Sequence, residues 1–191
     1  MTPTESAIVL AVIGVAVLFA MWTGWRHRAI RSSAVVPELY PVPADDDALG
    51  AALTAPIDAT YVSTTLASDW LDRIAAHGLG ARAAAVVRVF DAGVLIERAG
   101  APDLYLPAAA VRAVGTASGI AGKVVGHEGL TALTWQAPGA DGVELTTGLR
   151  VRHAADRALL IEAAGALAGS PVPPSEPTRA PDRGARNEGV Q

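Results

Sequence analysis

The chain has 191 residues, a formal net charge of −4 and 51% hydrophobic residues, and much of that apolar content lies near the N-terminus. The remainder is long enough for one modest domain. The acidic balance argues against a nucleic-acid partner, because phosphate binding needs clustered basic surface. The lack of cysteine excludes disulfides, thiolate nucleophiles and cysteine-ligated zinc.

The N-terminal region contains nineteen consecutive uncharged residues, 7–25. As a helix they would extend about 28 Å, close to the roughly 30 Å hydrocarbon core of a bilayer. A cleaved signal peptide fits poorly, since the basic residues follow the apolar run instead of preceding it. Arg26, Arg28 and Arg31 predict that the C-terminal side is cytoplasmic. We therefore expect residues 1–31 to form a single-pass anchor in the inner (plasma) membrane, with the N-terminus outside.

Small residues recur along this apolar segment at a spacing that allows close approach of two helices. They are Ala7, Ala11, Ala16 and Ala20. Self-association through the anchor is one interpretation, and an alanine-rich helix that simply faces lipid is the other.

Two further segments have compositions typical of unfolded chain. Residues 32–56 contain four prolines and an acidic run, Asp45 to Asp47, and they predict a linker. Residues 169–191 contain five prolines and almost no large apolar side chains, and they predict a disordered tail. The folded domain is therefore expected to be residues 57–168.

The expected domain has mainly strand-like patterns. Residues 61–66 are rich in β-branched and aromatic side chains. Residues 83–90 and 94–98 flank Asp91-Ala92-Gly93, which predicts a hairpin. Runs at 104–106 and 111–114 are separated by Pro107, a residue that suits a sheet edge. A second hairpin is predicted from 130–136 and 143–152, which flank turn-rich residues 137–142.

Two segments carry helical signals of different strength. Residues 68–79 fit a short helix or a strand, and both alternatives stay open. Residues 154–168 predict a helix, because their apolar residues share one arc: Leu159, Leu160, Ala163, Ala164 and Leu167. Strands in series followed by one amphipathic helix predict a bent antiparallel sheet or partial barrel whose open end the helix plugs.

Seven segments in this order resemble small single-pass bacterial membrane proteins that carry a pleckstrin-homology-like (PH-like) domain: YVSTT, DWLDRIAAHGLGARA, DAGVLIER, LYLPAAAVRAV, GIAGKVVGHEGL, LTWQ and LTTGLRVRHAADR. The resemblance covers nearly the whole chain. It implies a mainly β fold, in which an N-terminal transmembrane helix precedes a PH-like antiparallel β-barrel or bent sheet capped by a C-terminal α-helix. Such proteins are often labelled as transporters or export proteins, and the resemblance carries over no binding or catalytic residue.

Motifs for catalysis, cofactors and metals fail on inspection. The segment from Gly119 to Lys123 lacks both the first glycine and the final Ser or Thr of a phosphate-binding loop. The four histidines do not have metal-ligand spacing, and the serines lack the context of a nucleophile elbow. We therefore expect neither an enzyme nor a cofactor.

We therefore expect the protein to act by binding another molecule. The leading hypothesis is a non-enzymatic, membrane-anchored cytoplasmic PH-like module that docks a protein partner or a membrane assembly. The alternative is recognition of anionic lipid headgroups or a phosphorylated metabolite, with Lys123, Arg150 and Arg152 as candidate ligand-binding residues. A second alternative is an accessory subunit of a transporter, since one spanning helix encloses no transport path.

Overall fold

A computed structural model of the chain describes residues 10, 12–24, 36–124, 129–139 and 142–168. Residues 12–24 are helical (α1). Within the described ranges, no helix combines the length and apolarity needed to cross a bilayer. The expected anchor, 7–25, and the arginines that follow it lie partly or wholly outside these ranges.

Among the described residues, one antiparallel sheet contains eight strands: β1 (Ile57–Leu66), β2 (Asp69–Arg73), β3 (Ala83–Phe90), β4 (Gly93–Arg98), β5 (Leu104–Pro107), β6 (Val111–Ala117), β9 (Leu130–Gln136) and β10 (Glu144–Val151). Their order is β5-β4-β3-β1-β10-β9-β6, and β2 pairs with β1 beside this path. Two short strands, β7 (Gly119–Ile120) and β8 (Lys123–Val124), form a separate ladder. The main sheet is open, because its end strands β5 and β6 do not pair with each other.

Both predicted hairpins are confirmed. In the first, Phe90 pairs with Gly93 across a turn at Asp91 and Ala92. A Cβ on Gly93 would collide with the carbonyl of Leu106, so glycine is required where β4 passes β5. In the second hairpin, β9 and β10 flank the predicted turn region.

The segment left open between helix and strand contains both a strand and a helical turn. Residues 69–73 form β2, and Ala76–Gly78 form a 3-10 helix. His77 has a left-handed backbone, with φ of 53°, which prevents a regular α-helix from continuing through this point. Neither alternative therefore describes the whole segment.

The C-terminal helix, α2 (Ala154–Leu167), is confirmed and contacts β6, β10, β3 and β4. Since β6 lies at one end of the sheet and β4 near the other, α2 covers the opening between them. One residue of the predicted apolar face is wrong: Leu159 is 54% exposed. The other four residues are confirmed: Leu160 and Ala164 are buried, and Ala163 and Leu167 pack beside them together with Ile161.

The described part of the expected linker, residues 36–56, packs against the domain. Val36 is fully buried in the main core, where Leu39 and Tyr40 pack against it. Leu49 ends a 3-10 helix, Asp46–Leu49, and is buried against Tyr105. These apolar side chains are irregularly spaced among prolines and aspartates, so the sequence shows no period. The linker interpretation is therefore corrected for residues 36–56, and the expected tail, 169–191, lies outside the described residues.

Candidate binding groove

An open groove crosses the outer face of the sheet over β10, β1, β3 and β4. The strand register builds it: Thr60 pairs with Arg150 on one side and Ala84 on the other. One step along, Val86 lies between Asp58 and Glu97. The outer-face groove is lined by Asp58, Ala59, Thr60, Arg82, Ala84, Ala85, Val86, Arg88, Glu97, Arg98, Ala99, Asp103, Arg150, Val151 and Arg152.

Small side chains form the centre of this groove and charged side chains surround them. The side chains at the centre are short and extend little above the sheet; they belong to Thr60, Ala84 and Val86. Arg82, Arg150 and Arg152 are exposed. None of the three forms an ion pair with another described residue, so their guanidinium groups are free to donate hydrogen bonds.

Carboxylates share the groove with these arginines. Arg88 Nε lies 3.3 Å from Glu97 Oε2 in an ion pair whose two side chains are about 40% exposed. Asp103 Oδ1 accepts a hydrogen bond of 3.1 Å from the backbone N–H of Arg98. Asp58 adds a third carboxylate. The outer-face groove therefore presents charges of both signs.

Arg98 is a lining residue of the groove, but its guanidinium group lies in the interior. The residue is 4% exposed, and its side chain donates to the carbonyls of Pro102, Gly78 and His77 at 2.8 to 3.2 Å. The guanidinium also lies 4.8 Å from the ring centroid of Tyr61. Arg98 therefore stabilises the unusual 3-10 turn at His77 and is not available to a ligand.

The structure brings together two of the three predicted ligand residues. Arg150 and Arg152 lie in the outer-face groove, whereas Lys123 lies on β8 and pairs with Ile120 in the separate ladder. Sequence reasoning missed Arg82, Arg88 and the accompanying carboxylates. Alternation along 83–90 could have placed Arg88 on the outer face, but the neighbour relation of β3, β1 and β10 is not visible in the sequence.

A second polar cluster is wholly internal. Trp135 Nε1 donates to Thr147 Oγ1 at 3.0 Å, and Thr147 Oγ1 lies 2.8 Å from Thr64 Oγ1. Thr64 Oγ1 lies 2.6 Å from the hydroxyl of Tyr61, which donates to the carbonyl of Leu79 at 2.8 Å. Burial raises the pKa of Tyr61 to about 12, although Thr64 and Arg98 oppose that shift. All these side chains are buried, so the network links strands of the core.

In the part of the chain that the structure describes, no three His, Cys, Asp or Glu side chains are grouped closely enough to hold a metal ion.

An open, mainly β antiparallel sheet with a C-terminal helix across its opening is a PH-like fold. The bacterial PH domain-like family matches residues 37–165, more than half of the chain, and the protein belongs to this family. The start of the match agrees with the packing of residues 36–56 in the domain. No curated protein matches the chain. The family assignment concerns the domain and says nothing of membrane anchoring or transport.

Proposed function

We propose that this protein is a non-enzymatic, membrane-anchored interaction module, in which the PH-like domain docks a protein partner through the outer-face groove. A PH-like domain suggests an interaction role, and the observation that carries the proposal is the mixed charge of the groove. A polypeptide partner matches such a surface because it offers carboxylates to free guanidinium groups and basic side chains to carboxylates.

The carboxylates disfavour a single phosphate as the ligand of this groove. Asp58 lies on β1 next to the strand that carries Arg150, and its carboxylate would repel a phosphate held there. Glu97 already pairs with Arg88, so that arginine would have to leave its partner to bind an anion. A partner that contacts both signs of charge meets neither difficulty.

Membrane anchoring through residues 7–25 is part of this proposal and rests on the sequence. The three arginines after the apolar run favour a cytoplasmic domain. Protease added outside intact spheroplasts should spare residues 36–168. Neutral substitutions of Arg26, Arg28 and Arg31 should yield mixed orientation. Digestion of the domain in the wild-type protein would contradict this topology.

Docking is tested by crosslinking in native membranes with three variants. In the groove variant, Arg82, Arg150 and Arg152 are replaced by glutamate. A matched control replaces Arg112, which is exposed outside the groove and donates to Gln136 Oε1. An anchor-only chain, residues 1–35, controls for capture by the membrane segment. The proposal predicts a crosslinked protein that the wild type and Arg112→Glu share and that the other two chains lack. Equal capture by the groove variant would contradict it.

Recognition of an anionic headgroup or phosphorylated metabolite remains the second candidate, favoured by one observation. Arg82, Arg150 and Arg152 converge on one groove without intramolecular ion pairs among the described residues. Binding of this kind would weaken steeply with added salt, because exposed charges are screened within about 8 Å at physiological ionic strength. Docking of a polypeptide depends less on salt, since its affinity rests mainly on a desolvated central contact.

A further inference from the structure

β2 presents two neighbouring large apolar side chains to solvent. Trp70 is 46% exposed and Leu71 is 60% exposed, and together they form what we call the Trp70–Leu71 patch. Adjacent residues of a regular strand point to opposite faces, so the joint exposure of this pair needs a local cause.

The cause is an irregular hairpin whose backbone is held in place. Leu66 pairs with Asp69, but the next pair joins Thr65 to Arg73, so the residues between them leave the ladder. Asp69 Oδ1 accepts a hydrogen bond of 2.9 Å from the N–H of Leu71. The carbonyl of Trp70 accepts another of 2.8 Å from the N–H of Ala121. The exposure of the patch is therefore fixed by hydrogen bonds on both sides.

The two turn residues between β7 and β8, Ala121 and Gly122, lie next to the patch. Besides the hydrogen bond from Ala121, a Cβ placed on Gly122 would lie 3.7 Å from Leu71 Cδ2, in ordinary contact. Ala121 and Gly122 are small and add no charge at this side.

The patch lies at the end of the sheet where the chain enters the domain. The β1–β2 turn and the start of β10 are joined by a hydrogen bond of 2.9 Å from Ala67 N–H to the Glu144 carbonyl. In the adjoining β9–β10 turn, a Cβ on Gly139 would lie 3.9 Å from Pro37 Cγ. One residue earlier, the Val36 carbonyl lies 2.9 Å from His77 Nε2. The N-terminal segment thus joins the fold beside this end.

The expected anchor ends close to this point of entry. Trp25 and Val36 are 11 positions apart in the sequence, and 11 residues reach at most roughly 40 Å when fully extended. The end of the sheet that carries Val36 therefore lies within roughly 40 Å of the end of the expected anchor.

We infer that the Trp70–Leu71 patch rests on the bilayer interface and orients the domain, an inference that depends on the anchoring in the proposed function. Tryptophan suits this position because its ring is apolar and its N–H can remain hydrated. The tether keeps the local concentration of lipid high, so a small apolar contact is sufficient. The outer-face groove, around Thr60 and Arg150, then lies further along β1 and β10 and stays accessible to a partner.

The contact is apolar and not electrostatic. Asp69, Asp72 and Glu144 flank the patch and are exposed, and an anionic leaflet would repel them. These three described carboxylates therefore oppose electrostatic attraction of the patch to acidic lipid. We expect the contact to persist at high salt, where electrostatic binding is lost.

The test uses full-length protein in phosphatidylcholine vesicles that contain phosphatidylglycerol. Since the chain has no cysteine, a single environment-sensitive fluorophore can be attached at Ser68→Cys, beside the intact patch. The matched site is Ala51→Cys, which is also exposed but lies by the β3–β4 turn, where the Ala51 carbonyl accepts from Asp91 N–H. Nitroxide-bearing lipids should quench the label at position 68 several-fold more than the label at position 51, at low and at high salt.

A second variant assigns the contact to the patch. Replacing Trp70 and Leu71 by serine, in the protein labelled at position 68, should reduce quenching to the level seen at position 51. Quenching that persists in this variant would overturn the inference, as would equal quenching at the two sites. If the label at position 68 is shielded only when membrane proteins are added, the patch contacts a protein partner. That result would also overturn the inference.

Carbonate extraction separates this inference from the proposed anchoring. If the protein stays with the vesicles and the label at position 68 is not quenched, the inferred orientation is wrong and the proposed anchoring is retained. If carbonate releases the protein, the anchor is wrong and the orientation falls with it.

Discussion

Ile120 lies directly over Gly148. A Cβ on Gly148 would come within 2.9 Å of Ile120 Cγ2 and 3.0 Å of Ile120 Cδ1. The missing side chain allows the β7–β8 ladder to pack on the outer face of β10, where Ile120, Val62 and Leu130 form a small buried cluster. A residue that alternation places on the solvent face is therefore covered.

The first prediction concerns this contact. Gly148→Ala should lower the free energy of unfolding by about 1 to 3 kcal/mol, because the branched Ile120 side chain has to move to admit a methyl group. Gly165→Ala is the matched control, since nothing lies within 4 Å of its Cβ position in α2. That control should raise stability by up to about 1 kcal/mol through helix propensity. Urea denaturation of both variants measures the difference, and equal stabilities would contradict the packing at Gly148.

Alternation and turn chemistry were sufficient to predict the hairpins, because both signals are local in sequence. The turn at Asp91 and Ala92 lies in the predicted turn segment, and Pro107 ends β5, an edge strand, as predicted. The position of the helix was also predictable. The buried face of α2 was also predictable except for Leu159. The apolar pattern does not distinguish Leu159 from its neighbour Leu160, and only the position of the sheet decides which of the two is buried.

Long-range contacts account for what the sequence did not show. Val36 and Leu49 lie among prolines and aspartates, and their burial depends on surfaces formed by distant strands. The outer-face groove has the same origin. Arg150 and Arg152 were identified from their strand, but Arg82 joins them only because β3 and β10 both pair with β1.

The second prediction tests the packing of α2. Leu160 is fully buried, so Leu160→Ala should lower the free energy of unfolding by about 2 to 5 kcal/mol. Leu159→Ala removes the same atoms from a side chain that is 54% exposed, and it should change stability by less than about 0.5 kcal/mol. Thermal melting of the two variants would show a large and a small shift. Similar shifts would contradict the position of the helix on the sheet.

The third prediction concerns the start of the folded domain. A fragment of residues 36–168 should be more stable than one of residues 53–168, because only the longer one buries Val36 and Leu49. Two such side chains contribute roughly 3 to 6 kcal/mol. Val42→Ala in the longer fragment is the control, since Val42 is 40% exposed and should have little effect. Equal denaturation midpoints for the two fragments would show that residues 36–52 do not stabilise the domain.

The fourth prediction follows from the buried hydroxyl of Tyr61. Its pKa in the folded protein is raised from 10.0 to about 12, mainly by desolvation. The folded state therefore holds this proton more tightly than the unfolded state does. The associated stability is fully present below about pH 10 and is lost as the pH rises towards 12, by about 3 kcal/mol in all. Tyr61→Phe should reduce this loss between pH 10 and 12, as measured by urea denaturation. An unchanged slope would contradict the assignment to Tyr61.

The last prediction distinguishes a polypeptide ligand from a phosphate at the outer-face groove. The paired substitution Arg150→Gln and Arg152→Gln removes two exposed charges. Each such charge contributes about 0.2 to 1 kcal/mol to the binding free energy when it forms an ion pair with a partner. Against a protein partner identified by crosslinking, affinity should fall only about five-fold, mostly through a slower association rate. If the groove binds phosphate, the two guanidinium groups supply the main contacts, and their loss should abolish binding. We would measure partner binding by surface plasmon resonance, and lipid binding by flotation of the 36–168 fragment with anionic vesicles. Arg112→Gln is the control in both measurements. Salt-sensitive flotation that the paired substitution abolishes and Arg112→Gln preserves would reject protein docking in favour of an anionic ligand.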